Sequence, residues 1–220
     1  MSYNVDKNND ELKSGSEKYF GQWETDKVIE KYFPSGHIGK CVDVGAADGR
    51  RGSNSFYFEN NGWECLCVEA NPEHNKSLLE LRKNVVMCAC GNVDGESNMD
   101  LQVFRVGDRD ISTSLTSLSP DARLVDDHKH IIREQYSVNV VVKNLTDLVN
   151  EFNTDLDFIS IDTEGTELDV LKGLDLETIN VKLLVVENNY DDADISDYLS
   201  QFGYVRKERY KINDFYIKED

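Results

Sequence analysis

Three clusters in this chain combine residue types that could do chemistry. The first is Asp43-Val44-Gly45-Ala46-Ala47-Asp48-Gly49. Gly45 and Gly49 let a backbone turn tightly and approach a ligand closely. The spacing is not that of a dinucleotide fingerprint, because Ala47 stands where the second glycine of G-x-G-x-x-G belongs. Two carboxylates at one turn, Asp43 and Asp48, would repel a diphosphate and would suit a ligand with an ammonium or sulfonium centre. The second cluster is Glu69-Ala70-Asn71-Pro72. An acidic residue about 25 residues after a first turn is placed to hold ribose hydroxyls, and a carboxylate accepts both hydrogen bonds of a vicinal diol. The third gathers Asp162, Glu164 and Glu167, with Glu187 and Asn188 further on.

The elements that must carry these clusters alternate. A helix, or two short ones, is expected over residues 16–33, ended by Pro34 and Gly36. Strands are expected over 40–44, 64–69, 85–89, 99–106, 137–142, 156–162 and 183–187. Helices are expected over 53–61, 72–83 (with Leu78, Leu79 and Leu81 inward), 145–152, 167–173 and 193–202. Residues 204–211 and 214–218 read as a closing hairpin at an antiparallel edge. Strand–helix alternation with near-continuous apolar strands means an α/β fold, a mostly parallel sheet with helices on both faces. Ligands of such sheets bind outside the carboxyl ends of the strands, where all three clusters fall. Residues 1–13 read as a flexible N-terminal arm and 14–220 as a single domain, with an N-terminal helical segment at 14–36. Residues 107–137 read as a polar, irregular insertion with a weak helix over 121–135.

Composition narrows the partners. The chain has 42 Asp and Glu against 24 Lys and Arg, a formal charge of −18. Duplex nucleic acid and anionic membrane surfaces both repel that charge, so no nucleic acid and no membrane are expected as partners. No apolar window is long enough to span a bilayer. Residues 1–10 lack the basic and apolar regions of a secretory signal, which makes the cytoplasm the expected location. Cys41, Cys65, Cys67, Cys88 and Cys90 lie in apolar strands and read as small buried hydrophobes; C-x-C in a strand is not a zinc-knuckle spacing.

Asp43 to Gly49, Ser53-Asn54, Gly62-Trp63 and Cys67-Val68-Glu69-Ala70-Asn71-Pro72 together resemble the FkbM family of S-adenosylmethionine-dependent methyltransferases. The likeness continues through Phe158-Ile159-Ser160-Ile161-Asp162-Thr163-Glu164-Gly165-Thr166-Glu167 to Leu171-Lys172-Gly173. It includes Gly21-Gln22 with Asp26, and Glu187. The block I-D-x-E-G-x-E-x-x-V-L-x-G is its most specific part, and the collinear set covers most of the chain. The resemblance implies a class I methyltransferase (Rossmann-like) fold: a seven-stranded, mostly parallel sheet whose last strand is antiparallel. It implies S-adenosyl-L-methionine as cofactor and S-adenosyl-L-homocysteine as product. Cofactor contacts would fall to Asp43, Gly45, Ala46, Asp48, Gly49, Glu69, Ala70 and Asn92, with Asn92 beside adenine. The reaction implied is O-methylation of a hydroxyl on a sugar, glycan or small metabolite. Two departures from the family pattern are mild: Ala47 stands for a frequent Asn, and Ala70 for a frequent Pro. Ser160, where many members carry Lys, removes a positive neighbour of Asp162.

Methyl transfer to oxygen needs position and a base. Asp162 and Glu164 are the candidate catalytic carboxylates. Either could take the hydroxyl proton, or the pair could hold a divalent cation. Asp162, Glu164, Glu187 and Asn188 offer only hard oxygen donors, which suit Mg²⁺ rather than zinc. A direct base is favoured over Mg²⁺, and no residue is assigned as a metal ligand. Glu167 reads as a dipole partner in the first turn of its helix. His37 and His74 are expected at the surface, and His128 and His130 in the insertion, which would cover the acceptor site. Ser112-Thr113-Ser114-Leu115 resembles a family segment lining cofactor or acceptor. The competing readings are an N-methyltransferase, a nicotinamide dehydrogenase (disfavoured by the glycine spacing) and a catalytically inactive methyltransferase-fold scaffold. Monomer and homodimer both stay open.

Overall fold

The structure, a computed structural model, describes residues 18–106 and 115–219. The expected arm and Ser112 to Ser114 lie outside them. In chain order the elements are α1 (Thr25–Glu30), β1 (Lys40–Val44), α2 (Phe56–Asn60), β2 (Glu64–Glu69), α3 (Asn75–Leu81), β3 (Asn84–Met87), β4 (Ala89–Cys90), β5 (Glu96–Val106) and β6 (Leu115–Ser117). There follow α4 (Ala122–His128), β7 (Ile132–Lys143), α5 (Leu145–Phe152), β8 (Asp155–Ile161), α6 (Glu167–Lys172), β9 (Asn180–Glu187), α7 (Asp194–Ser200), β10 (Tyr204–Tyr210) and β11 (Asn213–Lys218). Short 3₁₀ turns at Gln22–Glu24 and Pro72–His74 lead into α1 and α3.

Seven strands form the main sheet in the order β3-β2-β1-β8-β9-β11-β10. β1 pairs in parallel with β2 on one side and β8 on the other, and β8 with β9. β11 is antiparallel to both β9 and β10, so it alone runs against the rest. The closing hairpin is therefore not an antiparallel edge: its second strand is inserted between β9 and β10.

Both faces of this sheet are buried, which is why its strands are continuous apolar runs. One face places Val42, Val44, Val68, Ile161 and Val186 against Leu148 of α5 and Val170 of α6. The other places Cys41, Cys65, Phe158 and Val185 against Ile29, Phe58 and Trp63. All five cysteines are buried free thiols. The helix starts follow local chemistry. Asn71 Oδ1 accepts from the Glu73 amide at 3.0 Å, with Pro72 at the first helical position. Asn144 Oδ1 accepts from the Asp147 amide at 2.7 Å. Of the three leucines expected inward on α3, only Leu78 is buried; Leu79 and Leu81 face outward, because a helix this short presents one narrow face to the sheet.

The largest departure from expectation is a second sheet. Residues 107–137 are not an irregular insertion; their described part contains β6, α4 and the first half of β7. The second sheet runs β4-β7-β5-β6, with β5 and β7 antiparallel from Glu96↔Lys143 to Val106↔Ile132. It sits at the end of β3, where the chain leaves the main sheet at Cys88 and resumes as β4.

Two outcomes follow. Gly45 has φ +88°, and a Cβ there would stand 1.8 Å from the Asp162 carbonyl oxygen. Gly45→Ala combines a left-handed backbone with a clash against main chain, and urea unfolding should show a loss of about 3 kcal/mol or more. The second concerns Asp26, buried beneath the Phe20 amide, which donates to it at 2.7 Å. Burial pushes its carboxyl up from 3.8 to about 6. Between those values the folded chain holds a proton that the unfolded chain has lost, so stability rises as pH falls. Acidification from pH 8 to pH 5 should contribute about 1 kcal/mol through this group. Thermal melts should show that increment shrinking in Asp26→Asn.

Candidate active site

The carboxyl ends of β1, β2, β8 and β9 meet where β1 divides its neighbours, with β2 on one side and β8 on the other. The first turn leaves β1 there. Gly45 and Ala46 both donate their amides to the Val68 carbonyl, at 2.9 and 3.1 Å, and Asp162 donates to the Val44 carbonyl at 3.0 Å. The turn is thus tied by main chain to both β2 and β8. A buried polar network supports it from below. Asp43 Oδ2 accepts from the Ser53 and Ser55 hydroxyls at 3.0 and 2.5 Å. The Arg82 guanidinium donates to the Gly49 carbonyl at 3.0 Å and to Ser55 Oγ at 2.7 Å, and pairs with Glu59. Gly49, expected in the site, is not in the cavity wall; a Cβ there would meet Leu78 Cδ1 at 2.6 Å, so it serves close helix packing. Asp48 lines the cavity while closing its own turn, accepting from the Arg50 and Arg51 amides at 2.9 and 2.8 Å.

Glu69 ends β2 and is 6% exposed. Its two oxygens accept from different amides, Ala47 at 2.7 Å and Asn71 at 2.6 Å. The Ala70 amide bears on the same carboxyl, so three backbone amides hold it in place. Burial raises its pKa, and the nearby His74 opposes that rise. His74 is itself buried in the cavity wall rather than at the surface, because the turn after Pro72 folds it back toward Glu69. His37 is bonded to Asp157 at 2.8 Å.

On the far side of the turn, carboxylates crowd together. Oxygens of Asp162, Glu164 and Glu187 all lie within 4.8 Å of one another. Burial, then the Glu167 charge, raises Asp162 to about 7. Glu164 and Glu187 are held well above the ordinary carboxylate range by burial, then by the charge of Asp162. Glu167 has a different task. Its Oε1 accepts from the Thr163 amide at 2.9 Å, the Gly165 amide at 3.0 Å and the Thr163 hydroxyl at 3.1 Å. It clamps the turn that carries Glu164 at φ +59°. Asn188 does not join the cluster: its amide donates to Asp214 at 2.8 Å and to the Asp192 carbonyl at 2.9 Å.

A single cavity of about 1020 Å³ runs over the first turn and joins these two sides. Asp43, Gly45, Ala46, Asp48, Glu69, Ala70, Asp162 and Glu164 all line it. Asn92 does not. It is exposed, its amide donating to Asp169 at 3.2 Å, and the wall at the end of β3 is Cys88-Ala89-Cys90 instead. The strand break at Cys88 brings that wall forward by two residues. The roof holds residues outside the three clusters. Gln22 and Trp23 come from the N-terminal segment, where Gly21 bridges to Gly52. His128 comes from α4 and donates from Nδ1 to the Leu124 carbonyl at 2.9 Å. Tyr190 follows β9 and stacks under Arg123 at 4.0 Å, while Arg123 pairs with Asp121 and Asp192. Of these, Gln22 lies inside the motif Gly21-Gln22, and His128 in the segment expected to cover the acceptor site.

A model of the methyltransferase FkbM domain matches residues 43–206, more than half of the chain. The chain belongs to the FkbM methyltransferase family. Among solved structures it is similar to a methyltransferase FkbM from Methylobacillus flagellatus KT, at 18% identity and TM-score 0.51, over 84% of this chain and 46% of that one. The FkbM chain described here therefore spans less than half the length of that relative. Weaker likenesses are a precorrin-6y C5,15-methyltransferase from Geobacter metallireducens GS-15 (12% identity, TM-score 0.46, 96% of each chain) and the METTL16 methyltransferase domain (11%, 0.45, 89% of this chain and 65% of that one). No curated protein sequence matches significantly. The strand order, with β11 alone reversed, is the class I methyltransferase arrangement expected of an FkbM chain. No helix among its described residues is long and apolar enough to cross a membrane.

Arg82 supplies the cation of the network under the turn, and its side chain is fully buried. Arg82→Met leaves Glu59 uncompensated in that interior. The expected loss is about 3–5 kcal/mol, read by urea denaturation.

Proposed function

We propose that this chain is an S-adenosylmethionine-dependent O-methyltransferase acting on a hydroxyl of a sugar, glycan or small metabolite. One observation carries the reading: the cavity is continuous from Glu69, across the first turn, to Asp162 and Glu164. Its volume of about 1020 Å³ is at the upper end of ordinary ligand pockets, enough for a cofactor and a small acceptor together.

The residues present fit that cofactor. Glu69 lines the cavity as an anchored carboxylate, an acceptor for ribose hydroxyls. The cavity floor carries Asp43, Asp48, Glu69 and Asp162, a field that repels a diphosphate and attracts a sulfonium and an ammonium. Glu69 would hold the ribose, Gly45 to Ala47 the amino-acid end, and the Cys88 to Cys90 wall the base. S-adenosylmethionine bound there supplies an electrophilic methyl on a leaving group that departs neutral.

The chain's own work is then placement. The first turn and Glu69 fix the donor end. The roof at Trp23, His128 and Tyr190 limits water. Asp162 and Glu164 activate the acceptor hydroxyl at the other end of the cavity. The N-terminal segment and the second sheet bound the acceptor space, so the acceptor class is set by residues outside the family's motifs.

Calorimetric titration with S-adenosylmethionine and S-adenosylhomocysteine tests the donor half. Wild type should bind both, and Glu69→Ala should weaken binding by about 1–3 kcal/mol, with Glu69→Gln between them. Folded wild type that binds neither ligand would refute the reading and favour an inactive scaffold. For the acceptor half, Asp162→Asn and Glu164→Gln should lower turnover by about 10²–10⁴-fold while retaining cofactor binding. Loss of cofactor binding in both variants, with turnover unchanged per bound cofactor, would reassign the two carboxylates to the donor site.

A further inference from the structure

We infer that Asp162, Glu164 and Glu187 form a binding site for one divalent cation of the Mg²⁺ or Mn²⁺ type, through which the acceptor hydroxyl is held. The inference rests on the methyltransferase reading for its role, but not for its ligands.

The geometry is the first support. One oxygen from each of the three carboxylates lies within 4.8 Å of the other two. Ligand oxygens at about 2.1 Å from an octahedral cation stand roughly 3 Å apart when adjacent and roughly 4 Å apart when opposite. Small side-chain rotations bring the three to those separations. They also come from firm positions. Asp162 follows β8 directly, Glu187 ends the neighbouring β9, and the Glu167 clamp fixes the turn that carries Glu164.

The second support is independent of proximity. Glu187 is only 4% exposed; its carboxyl is hydrogen-bonded to Asp162, yet its Oε2 has no partner. A buried carboxylate oxygen left without a partner is costly unless something else satisfies it. No ion pair among the described residues involves Asp162, Glu164 or Glu187. A cation between the three would satisfy that oxygen and offset three crowded negative groups at once. The other oxygen ligands nearby are already in use, Glu167 accepting from the turn amides and Asn188 Oδ1 from the Asp192 amide.

Ligand chemistry selects the metal. Three carboxylates with no imidazole and no thiol suit hard cations rather than zinc or copper. Three protein ligands leave about three octahedral positions for water and acceptor oxygens. A hydroxyl held there would release its proton to solvent more readily than a free alcohol. That assigns Asp162 and Glu164 a shared task through the cation, in place of a direct base.

The test is Mn²⁺ binding to the full chain, followed by electron paramagnetic resonance, with S-adenosylmethionine titrated in parallel into metal-free protein. Wild type should bind one Mn²⁺ at a concentration below about 1 mM, with Mg²⁺ competing. Glu187→Gln and Asp162→Asn should each weaken that binding about tenfold or more, while their far-UV dichroism stays that of wild type. Wild type that takes up no Mn²⁺ at about 1 mM would overturn the inference whether or not the variants fold. So would Mn²⁺ binding that survives both substitutions unchanged, since that marks scattered surface carboxylates. If S-adenosylmethionine still binds in either of those cases, the cation site alone has failed; if it does not bind either, the methyltransferase reading fails with it.

Discussion

The crossing of Gly45 over the Asp162 carbonyl is the contact on which the site depends. Backbone meets backbone there, with no room for a side chain between them. It lets the chain leave β1 toward β2 while lying against the end of β8. Without it, the donor side at Glu69 and the carboxylate side at Asp162 and Glu187 would open into separate hollows. The buried network of Asp43, Ser53, Ser55, Arg82 and Glu59 then fixes the turn from below, and the Glu167 clamp fixes the opposite loop. Arg82, Glu59 and Glu167 hold the loops from outside the cavity wall, which Glu69, Asp162, Glu164 and Glu187 line.

Much of this was legible in the sequence, for a physical reason. A strand buried on both faces is a continuous apolar run, so β1 and β2 could be bounded from composition alone, and the acidic residues at their ends stand out against it. The helix caps Asn71 and Asn144 read equally locally. The second sheet was legible only in pieces: strands were expected over 99–106 and 137–142, which are parts of β5 and β7, but not their full length or their pairing. β7 carries Arg133, Glu134, Gln135, Ser137 and Asn139 on exposed positions, and only its far end is fully buried. A strand wetted along one face lacks the apolar signal, and its partner β5 lies about as far off in sequence as a whole helix–strand unit. Asn92 was misplaced for a related reason, since its partner Asp169 is remote in sequence, while His74 is folded into the wall by its own turn. Asn188 looked like a fourth oxygen ligand until the structure showed it bonded to Asp192 and Asp214.

The family motifs and the cavity roof reside in different parts of the molecule. The matched motifs lie in the turns at the ends of β1, β2 and β8, and they account for one wall of the cavity. The roof comes from the N-terminal segment, α4 and the loop after β9, where Arg123 ties Asp121, Asp192 and the Tyr190 ring together. That clamp joins the two sheets across the cavity mouth. The roof is thus free to vary in sequence without disturbing the floor.

The position of β11 bears on how the chain reaches this state. β9 and β10 are both complete before β11 exists, yet neither can pair with the other. Until residues 213–218 arrive, β9 presents an open row of amides and carbonyls beside Val185 and Val186, apolar side chains that are fully buried in the finished fold. During synthesis, a nascent chain stalled before that point would carry a sticky parallel edge into a crowded cell, the geometry that recruits chaperones and seeds misassembly. The last strand is therefore a latch on a sheet that cannot close progressively.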